Sequence, residues 1–149
     1  MATSIPKNFK DTTTNVRPHF KLWEFACTCG CGGVKTPSDK MLDALEELRV
    51  KAGKPLKIES GYRCQKKNAA VGGSPNSLHL TGTAVDIWIP GMSCEEMYKL
   101  ALSIPYLKAH RIGQYPYYKQ PILHLDDGKP GGSNRWVREK NGQYRYWKE

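Results

Sequence analysis

The stretch SLHLTGTAVDIWI, residues 77–89, joins a small-residue turn to a strand-like apolar run. The run alternates, so Val85 and Ile87 point to one face of the predicted strand while Asp86 points to the other. His79 lies where the run begins. Either this polar pair is a local structural device, or the two side chains converge on something that needs both.

A second segment, PILHLDD at residues 121–127, offers partners for that pair. Alternation puts His124 and Asp126 on the same face of a predicted strand. Two strands of one sheet could therefore present Asp86 and His124 side by side, with His79 on the loop just before. Two imidazoles and one carboxylate suit a catalytic zinc, since they leave a fourth position for water. From composition alone, a histidine that only packs and an aspartate that caps a turn remain alternatives.

The remaining patterns predict an α+β fold, with helices packed on a mainly antiparallel sheet. Thr36 as N-cap and Pro37 at the first helical position begin a helix that Gly53 ends. Ser93 and Glu96 form a capping box for a second helix. Strand patterns cover residues 56–60, 82–89, 110–115 and 121–127, and Asn141-Gly142 predicts a hairpin between the last two strands.

The length of 149 residues predicts a single domain, 1–149, of which residues 1–17 form a loosely held N-terminal arm. No segment approaches the apolar length of a membrane span. No apolar stretch follows the first lysines, so we expect no secretory signal; the protein would be made in the cytoplasm and delivered to its target by other means. We expect a monomer.

The net charge of +9 and the pI near 9.4 indicate an anionic partner or surrounding. Nucleic acid is one candidate and the anionic bacterial envelope is another. The lysines and arginines are scattered, with no run longer than two. We therefore expect no nucleic-acid partner.

Three of the five cysteines alternate in CTCGCGG, as Cys27, Cys29 and Cys31. Their spacing is awkward for mutual disulfides, because disulfide geometry is strict. One hypothesis is a small structural zinc site that uses these three and Cys64. The alternative is a set of buried or free thiols in a reducing compartment, and the sequence leaves the choice open.

Two stretches together resemble a known family: SGYRCQKKNAAVGGSPNSLHLTGTAVDIWI, and RIGQYPYYKQPILHLDDG followed by RW. They are similar to the zinc D-alanyl-D-alanine carboxypeptidase family, which shares its fold with the hedgehog signalling domain and groups with the lysostaphin-like wall peptidases. The resemblance covers residues 19–136. EFACTCGCG, with the helix behind it, resembles the phage and prophage endolysin branch. The resemblance implies a hedgehog/DD-peptidase-like fold and a zinc metallopeptidase that cleaves peptidoglycan stem peptides, as a carboxypeptidase or an endopeptidase, after release to the cell wall.

By this resemblance, one catalytic zinc ion is held by His79, Asp86 and His124. Arg63, in the Ser-Gly-Tyr-Arg turn, would lie beside the metal and hold a substrate carboxylate or stabilise the oxyanion. Its alternative role is to brace the loop. Ser77 is expected to hydrogen-bond the substrate backbone, although a hydroxyl that only stabilises the turn would look the same.

The resemblance is weakest at the general base. Many relatives carry an acidic residue three positions before the last ligand, where this chain has Pro121. Asp126 is the best remaining carboxylate for taking a proton from water, or else it accepts a hydrogen bond from a ligand imidazole. Tyr115 is expected to line the cleft and contact substrate, although an aromatic side chain that only packs near a strand end would look the same. The missing acidic residue also favours an alternative function, a non-catalytic zinc-containing module that binds the cell wall or builds a phage particle.

Overall fold

The computed structural model describes residues 9–129 and 131–149. The strands are β1 (Asn15–Arg17), β2 (Phe20–Lys21), β3 (Lys57–Ser60), β4 (Ala84–Trp88), β5 (Ile112–Tyr115), β6 (Ile122–Asp126), β7 (Arg135–Arg138) and β8 (Tyr144–Trp147). The helices are α1 (Asp39–Ala52), α2 (Gln65–Ala70), α3 (Cys94–Leu102) and α4 (Pro105–Lys108). Six strands form one sheet in the order β3-β4-β6-β5-β7-β8, antiparallel except where β5 pairs with β7.

The sheet has one covered face and one open face because its central strands alternate. Val85 and Ile87 of β4 and Leu123 and Leu125 of β6 are buried in the core that also contains the apolar sides of α1 and α3. The residues between them face the other way. The predicted α+β fold is confirmed. In the described part of the chain, no helix has both the length and the apolar character needed to cross a membrane.

Helix α1 begins two residues later than the sequence predicts. Its N-cap is Ser38, whose hydroxyl accepts a hydrogen bond from the Met41 N–H at 3.1 Å, and not Thr36. The carboxylate of Asp127 accepts a hydrogen bond from the Ser38 N–H at 2.9 Å. A tertiary contact therefore sets the helix start, and Pro37 lies before it.

The other local predictions are confirmed. Gly53 ends α1 in the left-handed conformation, with φ of 68°. Ser93 and Glu96 form the capping box of α3. Strands β7 and β8 pair as the predicted hairpin, and Gly142 adopts a φ of 87° in its turn. Each of these features depends on residues close in sequence.

The N-terminal arm predicted over residues 1–17 is attached at its end. Residues 1–8 lie outside the described residues. The guanidinium of Arg17, in β1, contacts Asp43 at 2.7 Å and Asp39 at 3.2 Å on α1. The last residues of the predicted arm are thus paired to β2 and held against α1.

One row of residues crosses the open face of the sheet. It runs through Asp86, His124, Gly113, Trp136 and Tyr146, each opposite the next in the strand register. A Cβ atom on Gly113 would lie 2.2 Å from a ring carbon of Trp136. The indole therefore fills the place of the missing side chain, with its ring 5.3 Å from that of His124.

Replacing Gly113 with alanine is expected to push Trp136 off the sheet and to destabilise the protein. Overpacking of this kind costs about 1–3 kcal/mol, measurable as a lower free energy of unfolding in urea. Gly131→Ala is the matched control, since a Cβ atom there meets nothing within 4 Å. Equal stability of the two variants would contradict this account of Gly113.

Candidate active site

A short turn positions His79 at the entrance to β4. Residues Leu78–Thr81 form a 3-10 helix, and the Ser77 hydroxyl accepts a hydrogen bond from the His79 N–H at 3.2 Å. Gly82 ends the turn with φ of 74°, and a Cβ atom there would lie 2.4 Å from the Cβ of Lys35. Glycine alone combines an easy positive φ with the absence of a Cβ atom, so this turn requires glycine at position 82. The turn in this way fixes the backbone position of His79.

The structure brings His79, Asp86 and His124 together at one point of the open face. The Nε2 atom of His79 lies 3.3 Å from one carboxylate oxygen of Asp86. The Nδ1 atom of His124 lies 2.9 Å from the other oxygen. One ligand atom from each residue lies within 4.8 Å of the other two. The three donors are close enough to share one metal ion.

The outer nitrogen of each imidazole is held by an acceptor. The Nδ1 atom of His79 donates to the carbonyl oxygen of Gly61 at 2.7 Å, and Nε2 of His124 contacts a carboxylate oxygen of Asp126 at 2.8 Å. Because these partners accept hydrogen bonds, the inner nitrogens of neutral imidazoles keep their lone pairs towards Asp86. This arrangement orients histidine ligands in metal sites, and the donor set fits zinc.

The charges of the site are coupled. Burial alone would raise the pKa of Asp86, but the neighbouring His79 and His124 outweigh it and hold that pKa well below its usual range. Burial also opposes a charge on His124, yet its hydrogen bonds to Asp126 and Asp86 raise its pKa to about 9. In the metal-free protein, Asp86 is therefore ionised at neutral pH and His124 carries a proton.

Zinc binding is expected to release at least one proton per ion at pH 7, because the metal must displace the proton from His124. The apparent affinity for zinc should therefore rise as the pH is raised towards 9. Calorimetric titration with zinc in buffers of different ionisation enthalpy measures the proton count. Binding without proton release at pH 7 would contradict the charge state assigned to His124.

These groups lie in an open cavity of about 690 Å³ on the sheet face. Its lining includes six of the residues predicted from the sequence: Arg63, Ser77, His79, Asp86, Tyr115 and His124. Asp86 is the only carboxylate among the described residues that line it. The cavity can therefore receive a ligand chain across the metal-binding point, with positive charge on one wall.

Arg63 forms part of that wall. Its backbone N–H donates to the carbonyl oxygen of His79 at 2.9 Å, which ties the two turns together. One terminal nitrogen of the guanidinium donates to the Ser77 hydroxyl at 3.3 Å, while its Nε is buried without a hydrogen-bond partner in the described structure. Burial lowers the pKa of Arg63, and the charge of Asp86 opposes that effect. The guanidinium stays charged and keeps donors for a ligand oxygen.

Tyr115, the last residue of β5, also lines the cavity. Its hydroxyl oxygen accepts a hydrogen bond from the indole N–H of Trp136 at 2.9 Å. Its ring stacks on Tyr118 and meets Tyr144 edge to face. Burial raises the pKa of Tyr115, so the phenol keeps its proton and can donate a hydrogen bond to a ligand.

Residues 18–126 match the protein-family model described as Peptidase M15. The chain belongs to the Peptidase M15 family. Proteins named peptidoglycan L,D-endopeptidase MepK, from Escherichia coli K12, Escherichia coli O157:H7 and Shigella flexneri, are each 30% identical to it over 102 residues. The alignment covers 64% of this chain and 53% of each relative, so the chain spans about half the length of the curated relatives it matches.

Membership of Peptidase M15 confirms the peptidase family and the hedgehog/DD-peptidase-like fold that the resemblance implied. Peptidases of this family depend on zinc, in agreement with the donor set on the open face. The phage and prophage branch stays a prediction.

Asp126 lies behind His124 and not in the cavity of this Peptidase M15 site. It is 0% exposed. Its two oxygens contact the guanidinium of Arg111 at 2.9 to 3.3 Å, the Gly128 N–H at 2.9 Å and Nε2 of His124. A carboxylate held by this many donors has little capacity left for a proton. The geometry favours the second role considered for Asp126, orienting the imidazole.

Replacing Asp126 with asparagine tests this assignment. A positioning residue predicts about a 10–100-fold weaker affinity for zinc. A general base predicts unchanged zinc affinity and a lower kcat with a shifted pH profile. Zinc competition with a chromophoric chelator, measured beside the pH profile of hydrolysis, separates the two roles.

Arg111 and Trp136 were missed as site residues from the sequence. Arg111 is one residue before β5, and it reaches Asp126 because Ile112 pairs with Leu125. The ion pair between Arg111 and Asp126 can be inferred only once that strand pairing is known. Trp136 belongs to the RW pair on which the family resemblance partly rests. Its position over Gly113 depends on the parallel pairing of β5 and β7.

Proposed function

We propose that this chain is a zinc-dependent peptidase that hydrolyses peptide bonds in the stem peptides of peptidoglycan. The observation that carries the proposal is the convergence of His79, Asp86 and His124 on the floor of an open cavity. Membership of Peptidase M15 and the printed names of the MepK relatives support it.

The residues around the donor set have distinct roles in this proposal. Bound zinc would supply a Lewis acid for the scissile carbonyl and a water molecule of lowered pKa. Arg63 donates to the oxyanion that develops at the carbonyl, or to a terminal carboxylate of the substrate. The Tyr115 hydroxyl, which accepts from the Trp136 indole N–H, donates a further hydrogen bond to the substrate, and Ser77 holds the guanidinium in place. Asp126 keeps the imidazole of His124 turned towards the metal.

The bond that is cut distinguishes a carboxypeptidase from an endopeptidase. The relatives are named L,D-endopeptidases, which favours an internal bond as the first candidate. Mass spectrometry of muropeptides after digestion of purified peptidoglycan identifies the bond directly. An endopeptidase splits cross-linked or internal peptides, whereas a carboxypeptidase removes one terminal residue. Hydrolysis should require zinc and stop with a chelator.

A second candidate function is a non-catalytic module that holds the cell wall. It is favoured by the absence of a second carboxylate among the described residues that line the cavity. It predicts zinc-dependent retention on purified peptidoglycan with no released product from any wall chemotype. That result would overturn the proposed peptidase activity.

We also propose that the protein acts on the wall after release, in a phage or prophage setting. Its net charge of +9 favours an anionic wall, and the segment EFACTCGCG supports the phage branch. Immunodetection across host lysis should find the protein inside cells before lysis and on wall fragments afterwards. Secretion from intact cells would contradict this setting.

A further inference from the structure

Four cysteines gather at a second point of the structure, away from the cavity. Cys27, Cys29 and Cys31 lie on the loop that precedes α1, and Cys64 is the N-cap of α2. All four are free thiols, and none lines the cavity of the candidate active site. One sulfur from each lies within 4.8 Å of the others.

Three of the sulfur–sulfur distances are close to the edges of a metal-centred tetrahedron. Sγ of Cys27 lies 3.4 Å from that of Cys29 and 3.7 Å from that of Cys64, and Cys29 and Cys64 are 3.6 Å apart. A tetrahedral zinc ion with Zn–S bonds of about 2.3 Å separates its sulfur ligands by about 3.8 Å. A disulfide would need about 2.05 Å. The cluster is therefore too open for a disulfide and close to the right size for zinc.

The loop backbone is shaped to gather these sulfurs. Gly30 and Gly32 alternate with the cysteines, and each has φ of 81°, a conformation that favours glycine. The Cys27 N–H donates to the carbonyl oxygen of Gly33 at 2.9 Å and closes the loop. An extended chain would spread alternate side chains by nearly 7 Å. The two left-handed turns shorten that separation.

Backbone N–H groups point at three of the sulfurs. The N–H of Cys64 donates to Cys27 Sγ, that of Lys67 to Cys64 Sγ and that of Gly33 to Cys31 Sγ, each at 3.4 Å. A neutral thiol is a weak acceptor, and a charged acceptor gives a stronger hydrogen bond. Three such donors on one cluster favour thiolates, the form that binds metal.

We propose that Cys27, Cys29, Cys31 and Cys64 bind a second zinc ion, in a closed structural site distinct from the candidate active site. Four thiolates fill a tetrahedral zinc and leave no position open for water or substrate. The ion would join the loop before α1 to the start of α2, two segments far apart in sequence.

One of the joined segments reaches the candidate active site. Cys64 directly follows Arg63, and the carbonyl oxygen of Gly61 holds the imidazole of His79. A Cβ atom on Gly61 would lie 2.9 Å from the Cα of Phe25, so the turn already touches the segment that leads into the cysteine loop. The second zinc ion would fix the turn that carries Arg63.

Zinc content by mass spectrometry of protein purified under reducing conditions tests the proposal. We expect about two ions per wild-type chain, about one in His124→Ala, about one in Cys29→Ser, and almost none when both changes are combined. Cys94→Ala is the matched control, since Cys94 is the one cysteine outside the cluster, and it should keep two. One ion in wild type and none in His124→Ala would overturn the proposal.

X-ray absorption at the zinc edge on His124→Ala protein gives a second readout that does not depend on any cysteine variant. The remaining zinc should show a sulfur-only shell at about 2.3 Å. A shell of nitrogen and oxygen would overturn the proposal.

If Cys29→Ser does not fold, titration of the wild-type thiols with a mercurial reagent tests the site instead. The reagent should release one zinc ion and leave the other bound. Release of no zinc would overturn the proposal.

Discussion

Replacing His124 with alanine is expected to remove one zinc equivalent and to lower hydrolysis of peptidoglycan peptides at least about a thousandfold, because a metal contributes several kcal/mol to the transition state. The change removes the inner nitrogen that faces Asp86 and the imidazole nitrogen that contacts Asp126. Zinc content and the rate of muropeptide release, measured on the same preparation, check the result.

Two further variants make that result specific. Asp86→Asn keeps the shape of the side chain and removes its charge, so it should cause a comparable loss. His110→Ala is the matched control, since its imidazole Nδ1 bonds to the Tyr106 carbonyl oxygen and it does not line the cavity. Its activity should equal that of the unmodified protein. Chelator-sensitive hydrolysis by His124→Ala at the normal rate would exclude the proposed metal centre.

The sequence predicts the parts of this protein that short-range physics determines. The left-handed Gly53, the Ser93 capping box and the hairpin at Asn141-Gly142 each depend on neighbours within a few residues. Strand alternation likewise predicts that the side chains of Asp86 and His124 point away from the core, on the same face of the sheet. These features follow from local geometry, and the structure has them.

Features set by contacts between distant segments could not be predicted. The start of α1 depends on Asp127 reaching Ser38, 89 positions away in sequence. The role of Asp126 depends on Arg111, which precedes the neighbouring strand β5 by one residue and reaches the carboxylate from there. Alternation alone placed Asp126 on the face of His124, but it could not show that four donors already hold the carboxylate. Strand pairing supplies that information, and a single sequence does not contain it.

The strand pairings of the sheet determine which side chains meet at the candidate active site. The row from Asp86 through His124 and Gly113 to Trp136 is continuous only because β6 lies between β4 and β5 and because β5 pairs parallel with β7. The glycine lets the indole approach the imidazole of His124, and the indole N–H in turn donates a hydrogen bond to the Tyr115 hydroxyl. One cross-strand row thus connects the candidate metal ligands with the tyrosines that line the cavity.

Replacing Arg63 with alanine is expected to lower kcat/KM about 100–1,000-fold while zinc content stays at the wild-type level, because a donor to the developing oxyanion is lost from a preorganised site. Arg63→Lys should recover little of this, since a lysine cannot reproduce the two-pronged guanidinium. If Arg63 instead holds a terminal carboxylate, the loss falls mainly on KM, and only for substrates with a free carboxyl end. Steady-state kinetics on a linear stem peptide and on a cross-linked muropeptide separate these roles.

Lys66→Ala is the matched control for Arg63, because it removes one positive charge three residues away, on the exposed side of α2 and outside the cavity. Its kcat/KM should stay close to that of the unmodified protein, apart from a small salt-dependent change in binding to the anionic wall. Activity of Arg63→Ala within about threefold of wild type would mean that the guanidinium only braces the loop through Ser77. The buried Nε that lacks a partner argues against that outcome, because a purely structural arginine would be expected to have its buried donors paired.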